Sequence, residues 1–194
     1  MATKSRTPAP SDWHDARVDA VPDSAGSEPT ADDPAQAERI ERFWERATAQ
    51  ASEWGAARHA ADLGTPAAWS FGDSPDLADD LVALVLRGDK TATASAAWEY
   101  EVDDEPLPAP GDLSIVLDGS GEPQALIRTT EVTVVPFDAV STDHAHREGE
   151  GDRSLAYWRT EHERCWRGTL ATTPYEFDTT MPVVCERFEV LYPK

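Results

Sequence analysis

Leu86-Arg87-Gly88-Asp89-Lys90-Thr91-Ala92-Thr93-Ala94-Ser95 changes its periodicity in the middle. On its N-terminal side Leu77, Leu81, Leu84 and Val85 recur at helical spacing from about Pro75 to Arg87, with Asp73 or Ser74 placed to cap the first turn. Gly88 is a good left-handed terminator. On the C-terminal side Thr91 to Glu101 reads as a strand. The stretch is therefore a helix-to-strand turn carrying one amine and three hydroxyls. Lys90 stands out by usage, because the chain holds three lysines against fourteen arginines and the other two, Lys4 and Lys194, lie at its ends. An ammonium can lose its proton when desolvated, whereas a guanidinium in practice cannot. Two readings stand side by side: a working amine in a site, and a solvated lysine in a turn.

The 194 residues suit one domain with extensions. A formal charge of −20 argues against broad, non-specific binding to nucleic-acid phosphates but leaves room for a local cleft that reads a few nucleotides. Cys165 and Cys185 are too few for a disulfide framework or a Cys-rich zinc site. No apolar run approaches the ~20 residues of a membrane span, and the N-terminus lacks a signal peptide's apolar core. The expectation is a soluble, cytoplasmic protein with no membrane partner. Residues 1–33, rich in Pro, Ala, Ser and Asp, read as a disordered acidic tail.

Outward from the turn, Ala35 to Glu53 reads as a helix burying Ile40, Phe43, Trp44 and Ala47. Trp69 and Phe71 fall on a loop before the second helix, where they either stack on a base or plug the helix start. Leu113 to Leu117 and Gln124 to Val135 read as a hairpin closed by Asp118-Gly119-Ser120-Gly121. Without a bulge, Ala125, Ile127, Thr129, Glu131, Thr133 and Val135 share one face and Arg128 takes the other. Glu131 then sits in an apolar row, where a carboxylate needs a partner or a raised pKa. Phe137 to Val140 reads as a short turn or helix, and Asp152 can cap a helix from Ser154 to Trp166 that buries Leu155, Trp158, His162 and Trp166. His162-Glu163 begins like a zinc-protease helix, but Trp166 stands where the second His belongs, which excludes that site. His144 and His146 read as surface residues. Glu148, Glu150 and Asp152 either hold a hard divalent cation or form a solvated acidic loop. On the closing strand, Val183 to Tyr192, Glu186 shares a face with Val184, Phe188, Val190 and Tyr192. It is a second-rank site candidate or the partner of an Arg such as Arg128.

Five segments in order, Trp69-Ser70-Phe71-Gly72-Asp73, the Leu86 to Ser95 stretch, Ile127-Arg128-Thr129-Thr130-Glu131-Val132, Glu148 to Leu155 and Pro182 to Phe188, resemble the ASCH domain family. The resemblance is to its longer bacterial type, with 34–194 as the domain. It implies an α+β fold, a small PUA-like β-barrel with flanking helices, and a cleft lined by Gly88, Lys90 and Thr93. Where the family pattern often continues with Arg after the Thr, this chain has Ala94-Ser95. The resemblance further implies a hydrolase that cleaves single-stranded RNA, placed slightly ahead of an amidohydrolase on N4-acylated cytidine-like nucleosides. A non-catalytic reader of RNA or of a modified nucleotide is the third reading. Lys90, Thr93 and Glu131 correspond to the residues that the deacylating members use. Trp69, Phe71, Gly88, Thr91, Ser95, Arg128, Arg153 and Trp158 are the expected ligand contacts, with Glu150 and Asp152 as ligands for a divalent metal ion. Single-stranded RNA or a nucleoside-like small molecule is the expected partner, and the oligomeric state stays open.

Overall fold

Small β-branched and apolar strands between short amphipathic helices build one curled, five-stranded half-barrel sheet. The structure is a computed structural model and describes residues 34–50, 64–102, 104–171 and 176–193; the expected tail at 1–33 lies outside them. The strands are β1 (Ala67–Ser70), β2 (Ala92–Ala96), β3 (Leu113–Leu117), β4 (Pro123–Pro136) and β5 (Pro182–Tyr192), ordered β1-β3-β4-β5-β2. Among the described residues only the β1–β3 pair is parallel.

α1 (Pro34–Ala49) buries Ile40, Phe43, Trp44 and Ala47, as its periodicity requires, against Ile115, Leu117, Leu126 and Leu191. α2 (Pro75–Leu86) starts at Ser74, whose hydroxyl accepts from the Leu77 amide, and gives way to Gly88 at φ 75°. It packs Leu81, Val82 and Val85 against Phe71, Val116, Ile127 and Phe188. α5 (Leu155–Leu170), capped by Ser154, packs Trp158 and Trp166 against Phe137, Val183 and Cys185.

Three expectations change. Trp69 lies on β1 rather than on a loop, its four-residue strand being too short to show a period of two. The strand from Thr91 stops at Ala96, where the Glu99 carboxylate accepts the Ala96 amide at 3.1 Å, and the chain turns into α3 (Ala97–Val102). The segment holding His144 is α4 (Thr142–Glu148), capped by Ser141 and ended by Gly149 at φ 78°; this helix buries His144, so it is not a surface residue. Among the described residues no helix is long and apolar enough to cross a membrane.

The feature that positions the site is a bulge in β4. Thr129 pairs with Phe188 on β5, but the next pairs are Glu131 with Arg187 and Val132 with Glu186. One extra residue at this point reverses which side chains face which way.

Candidate functional site

The turn after α2 inserts Lys90 between β2 and the α4–α5 loop, leaving it 1% exposed. Its ammonium has three N–H donors and three acceptors: Glu150 Oε1 at 2.7 Å, Glu148 Oε2 at 3.3 Å and the Glu148 carbonyl at 3.5 Å. Glu148, equally buried, also accepts the Trp158 indole N–H at 2.6 Å, with His144 Nε2 at 3.1 Å and His162 Nε2 at 3.7 Å. Burial pushes the Lys90 pKa down, but Glu148 and Glu150 outweigh it and the net shift is upward. Burial likewise pushes Glu148 up, and Lys90, His162 and His144 overcome it to hold the carboxyl well below its usual range. Lys90 is therefore a charged clamp. The turn is stitched further by Thr91 N–H to Arg147 O at 2.7 Å and by Arg153 to Asp89 at 2.8 Å. A Cβ on Gly149 would stand 2.5 Å from the Asp89 carbonyl, so only glycine lets the loop close on the turn.

A second polar group lies along β2, β4 and β5. Thr93 sits opposite Glu186, which sits opposite Val132; Ser95, Val184 and Val134 form the next row on the same face. Phe188 and Thr129 make the row before them. The Thr129 hydroxyl donates to Glu186 at 3.1 Å, and Tyr100 on α3 shares a 2.9 Å hydrogen bond with Ser95. Burial raises the Glu186 pKa; the Thr129 hydroxyl offsets part of this and the charge of Asp112 adds to it. Burial also pushes the Tyr100 phenol up to about 12, against the Ser95 hydrogen bond and with the nearby charge of Glu186. The two groups adjoin through aromatics, because Lys90 Nζ lies 5.1 Å above the Phe71 ring and Phe71 is 6.2 Å from Phe188. A hydroxyl nucleophile, a carboxylate whose pKa burial raises and a protonated phenol are the groups that acyl transfer uses.

The other expected site residues fall as follows. Glu131 is not in an apolar row: the bulge turns it to the opposite face, half exposed, where it pairs with Arg187 at 3.1 Å. Arg128 pairs with Glu189 at 3.0 Å rather than with Glu186. Trp158 cannot offer a stacking face, being 3% exposed with His162 stacked 4.1 Å from its ring. Phe71 is a plug, 5% exposed under the edge of half-buried Trp69. Gly88 and Thr91 serve the backbone of the turn. Glu150 is ion-paired with Lys90, and Asp152 accepts the Ser154 amide at 2.9 Å. Among the described residues no three His, Cys, Asp or Glu side chains converge to hold a metal ion. Tyr100 was missed because it lay in a segment read as strand. His144 carried a readable signal, its i,i+4 spacing to Glu148.

A family model described as the ASCH domain matches residues 67–192. A crystal structure of a protein from Enterococcus faecalis is 37% identical, with a TM-score of 0.69, over 79% of this chain and 88% of that one. A crystal structure of an ASCH domain from Lactobacillus crispatus is 30% identical, with a TM-score of 0.72, over 80% of this chain and 96% of that one. No curated protein matches the chain.

Proposed function

The chain belongs to the ASCH domain family, a PUA-like, RNA-associated fold, and from that premise we propose a hydrolase whose substrate is an N4-acylated cytidine-like nucleoside. The observation that carries the reading is Glu186, half-buried, with its pKa raised by that burial, and paired directly opposite Thr93 in the sheet. Thr93 Oγ1 adds to the amide carbonyl as Glu186 takes its proton. The Tyr100 hydroxyl, kept protonated, donates to the oxyanion. The C–N bond breaks as Glu186 returns the proton to the leaving amine. Water then hydrolyses the threonyl ester with Glu186 again as base, so amide and water give amine and carboxylic acid.

Lys90 takes no proton in this scheme, because Glu148 and Glu150 hold it charged. It holds the turn that leads into β2 and so positions Thr93. The ribonuclease reading ranks lower here, since the rows around Glu186 carry no Lys or Arg to meet a phosphodiester. The test is chromatography of N4-acetylcytidine and of short single-stranded RNA after incubation with the protein. The expected result is cytidine release, lost by at least about a hundredfold in Thr93→Ala and Glu186→Gln. RNA cleaved while the nucleoside stays intact would overturn the reading, as would turnover indifferent to both changes.

A further inference from the structure

Past the Thr129–Glu186 hydrogen bond, the hydroxyls of the site come from one side. Thr93 and Ser95 lie on β2 and Tyr100 on α3, whereas β4 answers them with Val132 beside Glu186 and Val134 beside Val184. The bulge is what places these valines here, since it moves Val132 and Val134 onto the face of Thr129. Val184 is fully buried at the centre, while Val134 stays 47% exposed at the far side. We infer that Val132 and Val134 form an apolar shelf for the substrate's acyl chain, giving a preference for acyl groups longer than acetyl; this rests on the hydrolase reading above.

The assignment of the two ends of the substrate follows from desolvation. A ribose or a pyrimidine edge laid on the valines would lose hydrogen bonds to water without replacement. An alkyl chain laid there is removed from water at a gain, and the nucleoside is left to the hydroxyl-bearing side. Val134, at the outer end of the shelf, keeps contact with solvent, so a longer chain lies along its exposed side.

The experiment compares kcat/KM for N4-acetylcytidine, N4-butanoylcytidine and N4-hexanoylcytidine, with folding checked by circular dichroism. Wild type should favour butanoyl over acetyl by about tenfold, from two methylenes partly removed from water. Val134→Asp should bring that ratio to about one, and Val134→Leu should keep it. A wild-type ratio near one, or a ratio unchanged in Val134→Asp, would overturn the shelf while leaving the hydrolase intact. If none of the three nucleosides is turned over, the hydrolase reading itself falls and the shelf with it.

Discussion

Glu148 and Glu186 are both carboxylates withdrawn from water beside the same turn-and-strand segment, one bonded to Lys90 and the other opposite Thr93, and their pKa values move in opposite directions. Glu148 is the more buried of the two and is nevertheless held ionised, because Lys90, Trp158, His144 and His162 surround it with donors and positive charge. Glu186 has one hydroxyl donor, from Thr129, and the like charge of Asp112 nearby. Burial sets the cost of a charge, and the donors around it decide whether the charge is kept. The saturated carboxylate belongs to the scaffold, and the under-supplied one is free to exchange a proton.

The strongest way to break this contrast is at Glu186. Glu186→Gln should lower kcat/KM on the acylated nucleoside by about 10²–10⁴-fold, the usual worth of a positioned general base. Its melting temperature should hold or rise, since the variant removes a carboxylate that ionises at a cost. Glu148→Gln should show the reverse pattern, lower stability first and activity only through it. A Glu186→Gln variant with full turnover would end the assignment.

Lys90 sharpens the same comparison from the other side. Lys90→Met leaves Glu148 charged and buried without its ammonium, and breaking such a pair costs about 3–5 kcal/mol. A fall of roughly 10 °C in melting temperature follows. Adding Glu148→Gln to Lys90→Met should restore much of that loss, because the unpaired charge is then gone. Were Lys90 a neutral base, Lys90→Met would abolish turnover at unchanged melting temperature.

Acid titration separates the two carboxylates without mutation. Glu148, lowered from 4.5, contributes stability that is present above that value and lost as the pH falls below it. Glu186, raised from 4.5, has the opposite sign: the fold gains as the pH falls through its folded value toward 4.5. Activity needs Glu186 ionised, so the acidic limb of kcat/KM should lie above pH 4.5, where far-UV circular dichroism still reports an intact fold. Activity and fold lost together in one transition would show that Glu186 is not the titrating base.

The helices α1, α2 and α5, the hairpin and the closing strand were legible because their apolar periods are long enough to count, and the Lys90 turn because a helix stop, a glycine and a strand start coincide there; the short α3 and α4 were not. The site was half legible. Thr93 and Lys90 came with the motif, and Glu186 surfaced as a second-rank carboxylate in an apolar row. Strand alternation could not say that Glu131 leaves the face of Glu186, since one bulge at Thr130 costs no recognisable residue and inverts every β4 side chain beyond it. The partners of Lys90 were hidden for another reason. Glu148 and Glu150 lie 58 and 60 residues away, and an acidic loop looks the same in sequence whether water, a metal ion or a lysine neutralises it.

The smallest expected effect is therefore the most pointed test of the bulge. Glu131 occupies the position that the resemblance assigns to catalysis, yet it is half exposed and its partner is Arg187, itself also paired with Asp143 at 2.9 Å. An exposed pair of this kind contributes about 0–1 kcal/mol, and Arg187 keeps Asp143 when Glu131 is neutralised. Glu131→Gln should shift the melting temperature by no more than about 2 °C and leave kcat/KM within about twofold, in contrast to the loss expected from the same change at Glu186. The two residues lie on neighbouring strands and face opposite sides of the sheet, Glu131 with Arg187 and Glu186 with Thr93. If Glu131→Gln were the inactive one and Glu186→Gln the silent one, β4 would run without its extra residue at Thr130. Glu131 would then face Thr93, and the Val132–Val134 shelf would turn to the opposite side of the sheet.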